Sequence, residues 1–147
     1  MLRKEIKKMV LDSEYIFRGT TREHLEMRIS QCGYYCGSWQ LEGKERVPVT
    51  SFSLNPLDAI IYAGMRAKKY NYKPFMLAIE TDKYIDHMRL GRETVIRTSD
   101  TEIEVVGEIG PDDIIEIDSA DRAVELCCRD EISERIRRLF GDVFKRY

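Results

Sequence analysis

Four short segments with strand-like patterns follow one another in the second half of the chain, and no helical pattern separates them. They cover Phe75 to Glu80, Thr94 to Arg97, Glu102 to Val106 and Asp113 to Ile117. Turn-forming residues such as Asp82-Lys83, Ser99-Asp100 and Gly107 to Pro111 lie between them. Strands therefore dominate this half of the chain.

The first half alternates between helical and strand patterns. The pattern predicts a helix from Leu2 to about Asp12, a strand at Glu14 to Arg18 ended by Gly19-Thr20, and a helix capped by Thr20 or Thr21 that runs to about Ser30. The segment Gln31 to Glu45 is expected to be an irregular or weakly paired connection, and Val47 to Phe52 is expected to be a strand. Asn55-Pro56 then supplies a capping residue followed by proline, which begins a helix running to about Lys69.

Two further helices are predicted at the end of the chain, from about Ser119 to Cys128 and from Glu131 onward. Helices interleaved with strands, followed by consecutive strands, favour an α+β fold over a doubly wound sheet. At 147 residues with no internal repeat or linker, the chain is expected to form one domain over residues 1–147.

Charge and hydropathy exclude some classes of function. The 24 basic and 26 acidic side chains leave a formal charge of -2, so no global field attracts nucleic acid or an anionic membrane. No segment is long and apolar enough to span a bilayer, and the first residues do not resemble a signal peptide. We therefore expect a cytoplasmic protein that does not enter a membrane.

The four cysteines have no recognised metal spacing. Cys127 and Cys128 are adjacent, whereas zinc ligands usually pair two to four residues apart, as Cys32 and Cys36 do. Buried free thiols are favoured over a disulfide or a zinc site, and no metal is predicted.

Two carboxylates in the segment Glu102 to Val106 share one face of a predicted strand. The two-residue period places Glu102 and Glu104 on one side, and Ile103 and Val105 on the other. Neighbouring carboxylates raise each other's pKa, a cost that is worth bearing when the pair must handle a cation or a proton. The structural alternative is the solvated face of an edge strand.

Two other strand ends carry polar side chains. Ser51 and Ser53 end the strand before the Asn55-Pro56 helix start, where a hydroxyl can orient a carboxylate or merely cap the helix. Arg18 ends the first strand and is followed by Gly19, whose small size lets a ligand approach the backbone. The alternative for this arginine is a solvated or ion-paired side chain.

Taken together and in this order, the three segments resemble the R-S-E class of the ADP-ribosyltransferase family. Tyr15-Ile16-Phe17-Arg18-Gly19 is similar to the first-strand arginine of that family, Ser51-Phe52-Ser53-Leu54-Asn55-Pro56 to its Ser-Thr-Ser segment, and Glu102-Ile103-Glu104-Val105-Val106 to its Glu-x-Glu strand. The resemblance spans about Tyr15 to Ile117. Phe52 replaces the threonine of the family pattern.

The resemblance implies a split sandwich of mixed or antiparallel sheets with flanking helices, and NAD+ bound as a substrate in the cleft. Arg18 would contact a phosphate or ribose of NAD+, and Gly19 would offer backbone groups to the nicotinamide amide. Ser51 would hold Glu104, which would bond the nicotinamide ribose and stabilise the positive charge as the glycosidic bond breaks. Glu102 would activate the acceptor, for which a glutamate at that position implies arginine.

The implied NAD+-binding set is completed by Thr20, Phe52, Ser53 and Tyr62, the aromatic members as stacking surfaces. The implied activity is mono-ADP-ribosylation of a protein, with slow hydrolysis of NAD+ when no acceptor is present. The connection Thr98 to Thr101 corresponds to the acceptor-recognition loop. Two alternatives stay open: a relative that acts on nucleic acid, by ADP-ribosylating a base or removing an RNA 2′-phosphate, and an inactive module that binds NAD+ or ADP-ribose.

Overall fold

The computed structural model describes residues 2–10, 13–94, 101–127 and 129–145. Its helices are α1 (Leu2–Val10), α2 (Arg22–Cys32), α3 (Pro56–Tyr70), α4 (Thr81–Tyr84), α5 (Ala120–Leu126) and α6 (Ser133–Phe144). Its strands are β1 (Tyr15–Thr21), β2 (Ser38–Glu42), β3 (Glu45–Phe52), β4 (Pro74–Glu80), β5 (Met88–Thr94), β6 (Thr101–Val106) and β7 (Ile115–Glu116).

Helix α3 shows most clearly how the sequence determines local structure. The Asn55 side chain accepts hydrogen bonds from the backbone N–H groups of Leu57 and Asp58, and Pro56 occupies the first helical position. Asn71 ends the helix in the left-handed conformation with φ of 57°. The predicted helix is therefore confirmed, with its end near the expected residue.

The strands form two antiparallel sheets, which confirms the α+β class. The first sheet has the order β1-β4-β7, and the second has the order β2-β3-β6-β5. The sheets meet at Phe17 and Ser53, whose backbone groups exchange hydrogen bonds of 2.9 and 2.7 Å. Apart from that bridge, β1 pairs within the first sheet and β3 pairs within the second.

Two hydrophobic layers cover the two faces of the first sheet. Ile16, Leu77 and Ile79 belong to one core cluster, which also contains Phe52 and Ile103 of the second sheet. The other cluster packs the opposite face against helices α3, α5 and α6; its sheet residues include Phe17, Met76 and Ala78. Burial on both faces explains why β4 is a nearly continuous apolar run, while β1 is equally buried from Ile16 to Thr21 although its second half is polar.

The structure differs from the predicted elements at β1 and adds a strand, β2. Strand β1 continues through Gly19 to Thr21, because Thr20 and Thr21 still pair with β4. A short strand, β2, lies inside the segment expected to be irregular or weakly paired, and it pairs with β3. Trp39 and Leu41 alternate with polar residues, but Leu41 is 73% exposed, so this alternation does not mark a buried face. Such an edge strand is specified by its partner more than by its own sequence.

The strand beside β6 begins earlier than predicted. Strand β5 covers Met88–Thr94, whereas the pattern placed a strand at Thr94 to Arg97. Charged residues interrupt β5, and the register shifts between Leu90 and Thr94, which hides its period. Positions 95–97 of the predicted strand lie outside the described residues, as does most of the predicted acceptor loop.

Other predictions concern the cysteines and the membrane. Cys32, Cys36 and Cys127 carry free thiols, and burial raises the pKa of Cys36. Cys128 lies outside the described residues. Within the part of the chain that the structure describes, no helix combines the length and apolar character needed to cross a bilayer.

Candidate functional site

Arg18 lies buried at the split between the two sheets. Strand alternation places it on the same face of β1 as Ile16, directed into the layer between the sheets. Its Nη1 donates to the backbone carbonyl of Ser51 at 3.0 Å, and its Nε donates to the Tyr35 hydroxyl at 2.6 Å. Arg18 is thus hydrogen-bonded directly to β3, the strand that carries Ser51.

The segment between α2 and β2 encloses this guanidinium. Tyr35 is 1% exposed and is fixed by backbone hydrogen bonds to Ile109. Gly37 lies so close that an added Cβ would be 2.8 Å from Nη2 of Arg18, and its N–H donates to the Thr50 hydroxyl. Sequence reasoning missed both residues, because the only signal was an aromatic and glycine-rich run without periodicity.

Ser51 and Glu104 are direct neighbours across antiparallel strands. The register pairs Ser51 of β3 with Glu104 of β6. Ile103 and Val105 are fully buried on the other face, which confirms that Glu102 and Glu104 share one face of the strand. Arg18 contacts the backbone of Ser51 and Ser51 is the strand partner of Glu104, so the structure brings the three predicted residues together.

The Glu104 carboxylate has a partner that the sequence did not reveal. Arg89 of β5 is paired with Glu104 in register, and its Nε donates to Glu104 Oε1 at 2.8 Å. The same guanidinium donates to Glu42 through Nη1 and to Gln40 Oε1 through Nη2, the latter at 3.0 Å. In the described structure, the carboxylate is therefore held by Arg89 and not by the Ser51 hydroxyl that the resemblance implied.

Gly19 is required by packing. A Cβ at this position would lie 1.7 Å from the carbonyl oxygen of Ala59 and 2.5 Å from the nitrogen of Ala63, so helix α3 packs directly on the β1 backbone. The carbonyl oxygen of Gly19 accepts a hydrogen bond from Arg66 of α3. These contacts explain the glycine, while its expected contact with nicotinamide stays a prediction.

Arg66 brings a second guanidinium beside Arg18. Its pKa is lowered to about 10, first because burial disfavours the charged form and then because Arg18 repels it. Tyr62 packs against it with the guanidinium carbon 5.3 Å from the ring centroid, and Glu102 offsets part of the repulsion. Two partly buried cations this close favour the binding of an anion.

His24 extends this cationic cluster toward the surface. Its Nδ1 lies 2.7 Å from the Thr21 hydroxyl, and its ring packs edge-on against Tyr70 at 4.8 Å between centroids. Burial lowers its pKa, and the charges of Arg28, Arg66 and Arg18 lower it further. The lowered pKa favours the uncharged form of His24, in which one ring nitrogen donates and the other accepts a hydrogen bond.

The predicted NAD+ set also includes Phe52, Ser53 and Thr20, and all three are buried. Phe52 is 1% exposed and packs in the core between the sheets opposite Ile103, so in this structure it presents no surface on which a ligand could stack; its place in the NAD+ set stays a prediction. Ser53 and Thr20 are also buried; Ser53 forms the backbone bridge to Phe17.

The two charged members of the set Arg18, Ser51 and Glu104 are buried among the residues that the structure describes. Arg18 and Glu104 are 8% and 6% exposed. Two pockets, of about 200 and 150 Å³, lie elsewhere: the larger lies near Arg22, Phe75 and Phe144, and the smaller near Phe17, Leu126 and Cys127. Arg89 is in direct contact with Glu104 Oε1, so a ligand that binds this oxygen must displace Arg89.

Comparisons with family models, with curated proteins and with solved structures gave no match to this chain.

Proposed function

We propose that this chain is an NAD+-dependent mono-ADP-ribosyltransferase that transfers ADP-ribose to a protein, at arginine, and slowly hydrolyses NAD+ when no acceptor is bound. The observation that carries the proposal is the linked set Arg18, Ser51 and Glu104. Two links support it: Arg18 of β1 donates to the Ser51 carbonyl of β3, and Ser51 is the register partner of Glu104 on β6. The α+β fold with two separate antiparallel sheets is compatible with the split sandwich that the resemblance implies.

The cationic cluster fits the diphosphate of NAD+. Tyr35 and the Ser51 carbonyl use two N–H groups of Arg18, which leaves others for a ligand oxygen. An anion between Arg18 and Arg66 would relieve the repulsion that lowers the Arg66 pKa. Because a guanidinium matches phosphate oxygens with a planar pair of donors, both residues suit this part of NAD+.

The Glu104 carboxylate fits the reacting sugar. When neutral nicotinamide leaves NAD+, the ribose becomes an oxocarbenium-like cation, and a carboxylate fixed beside it lowers the barrier. Strand pairing on both sides of Glu104 fixes its backbone, and burial excludes much of the water that would screen its charge. Losing this group would cost about 3 kcal/mol or more of transition-state stabilisation.

Glu102 fits the role of activating the acceptor. It lies two residues from Glu104 on the same strand face. Gly91 packs closely against it: a Cβ on Gly91 would come within 2.7 Å of the Glu102 Cβ, so a residue with a side chain would not fit beside this carboxylate. A carboxylate beside the reacting sugar can accept a proton from an incoming guanidinium as that group attacks. This supports arginine as the acceptor.

The test is to incubate the protein with labelled NAD+ and a cell lysate, and to measure label transfer and nicotinamide release. Glu104→Gln should abolish both signals with little change in melting temperature. The control is Glu108→Gln, which removes an exposed carboxylate four residues along the chain. The proposal is wrong if wild type and Glu104→Gln release nicotinamide equally, or if the wild type releases none.

A further inference from the structure

Arg89 fills a complete guanidinium-binding site made by the rest of the chain. Its three nitrogens each have a separate acceptor: Glu104 for Nε, Glu42 for Nη1 and Gln40 for Nη2. The acceptors lie on strands β2 and β6, and Arg89 itself lies on β5, at the opposite edge of the sheet from β2. The side chain therefore lies across the sheet face that carries Glu104.

This arrangement selects a planar group with several donors. Two carboxylates and one amide oxygen surround one guanidinium, whereas a lysine ammonium is a compact charge without the planar fork that would reach all three. The outer part of the site is open: the Arg89 and Glu42 side chains are 36% and 39% exposed, whereas that of Glu104 is 9% exposed. Ion pairs at such exposed positions are weak enough to exchange.

The Arg89 contact conflicts with the role proposed for Glu104. A carboxylate that must stabilise a developing sugar cation is already in contact with a cation at 2.8 Å. A permanently charged Arg89 opposes that cation throughout the reaction, whereas an acceptor guanidinium in its place gives up a proton as it attacks; Arg89 must therefore leave Glu104 or withdraw. The group that replaces it must also satisfy Glu42 and Gln40.

We propose that Gln40, Glu42 and Glu104 form the binding site for the guanidinium of the acceptor arginine, and that Arg89 occupies this site in the resting protein as an internal competitor. This inference rests on the proposed function. It names the part of the acceptor that the site recognises, and it explains why Glu104 is covered when no substrate is bound. An arginine on the acceptor displaces Arg89 and places its own guanidinium beside the ribose.

The transfer step replaces one bond at C1′ of the nicotinamide ribose with another. A guanidinium nitrogen of the acceptor forms a bond to C1′ of the nicotinamide ribose, and the glycosidic bond to nicotinamide breaks. Nicotinamide leaves as a neutral molecule with the electron pair of that bond. The attacking nitrogen gives one proton to Glu102, which passes it to solvent.

A binding experiment tests the site without relying on catalysis. Titration calorimetry should compare agmatine, which carries a guanidinium, with 1,5-diaminopentane, which carries only amines. Arg89→Ala should bind agmatine at least about tenfold more tightly than wild type, because a tethered competitor has been removed. Diaminopentane should gain nothing, and adding Glu42→Gln should remove the gain.

Arg122→Ala is the matched control, since Arg122 forms a similar partly exposed ion pair with Glu125, on helix α5. Equal agmatine affinity in wild type and Arg89→Ala would overturn the proposal, as would a gain in Arg122→Ala of the same size. Should Arg89→Ala fail to fold, Arg89→Lys keeps the charge and loses the fork, and it should also bind agmatine more tightly than wild type.

The rate of ADP-ribose transfer from NAD+ to agmatine distinguishes two roles of Arg89: competing with the acceptor, or positioning Glu104. Arg89→Ala should raise the transfer rate at low agmatine concentration by several-fold, and the increase should appear in KM. A fall in kcat with unchanged KM would mean that Arg89 positions Glu104, which would overturn the competitor role. If no variant releases nicotinamide, the proposed function fails, while the calorimetry still decides whether the guanidinium site exists.

Discussion

The guanidinium of Arg66 donates a hydrogen bond to the carbonyl oxygen of Gly19, one residue beyond Arg18 on strand β1. This contact keeps two arginines close together although the charge of Arg18 raises the free energy of the charged form of Arg66. The protein thus maintains a partly buried cationic cluster whose repulsion a bound diphosphate would relieve.

Replacing Arg66 with methionine should separate ligand binding from stability. Methionine preserves much of the apolar stem and removes a partly buried charge that Arg18 repels, so the melting temperature without ligand should stay the same or rise. The increase in melting temperature that NAD+ causes should largely disappear. Arg122→Met is the control and should keep that increase; an increase of equal size in Arg66→Met would contradict the role of the cluster.

Gly19→Ala should destabilise the protein by about 3 kcal/mol or more. The new Cβ would lie 1.7 Å from the Ala59 carbonyl oxygen, and because the clash is with backbone, a change of rotamer cannot relieve it. Gly141→Ala in helix α6 meets nothing within 4 Å and should stabilise by about 0.5 to 1 kcal/mol. Urea unfolding of both variants gives the comparison, and a mild effect at Gly19 would show that α3 does not pack as described.

Glu102→Gln should change the ratio of transfer to hydrolysis. If Glu102 accepts the proton of the attacking guanidinium, transfer to agmatine should fall about a hundredfold more than nicotinamide release to water. Both rates are measured on the same samples by product chromatography. A parallel fall in the two rates would mean that Glu102 acts on the sugar and not on the acceptor.

Asp113 should contribute stability that depends on pH. The Tyr84 hydroxyl donates to its carboxylate at 2.5 Å and Lys83 lies 3.3 Å away, and these contacts lower the pKa of Asp113 below its usual 3.8. A carboxyl whose pKa is lower in the folded state stabilises the fold above the unfolded-state value, and this contribution is lost as the pH falls through the folded value. Asp113→Asn should therefore cost about 1 kcal/mol at pH 7.

The difference between Asp113→Asn and wild type should shrink as the pH falls through the lowered pKa of Asp113, because the wild-type carboxyl then becomes neutral as well. Urea unfolding at several pH values measures it. A difference that persists unchanged in acid would show that the Tyr84 contact depends on shape and not on the charge of Asp113.

Strong local signals in the sequence were sufficient to predict several elements. Asn55-Pro56 fixed the start of α3 because a capping side chain and a proline both act within a few residues. The alternation around Glu104 fixed which residues face the core, because a strand has a period of two. These predictions needed no knowledge of distant partners.

The parts that sequence reasoning missed depend on contacts between distant segments. Strand β2 is specified by β3 and by the turn between them, and Tyr35 matters only because Arg18 reaches it from 17 residues earlier in the chain. Arg89 lies 15 residues before Glu104, on a strand whose pattern is interrupted, so neither spacing nor periodicity connects the two residues. A pair across a sheet becomes visible only when the register is known.

A crystal structure with a carbocyclic analogue of NAD+ tests the central claim most directly, since a ring without its oxygen cannot form the oxocarbenium-like state and the ligand stays intact. The quantities to measure are the distances from the ligand to Arg18, Arg66 and Glu104. We expect the diphosphate oxygens in hydrogen-bond contact with the two arginines, and a hydroxyl of the nicotinamide-side ring in contact with the Glu104 carboxylate. A ligand bound at another surface, with Arg89 still on Glu104 and no contact to Arg18, would contradict the account.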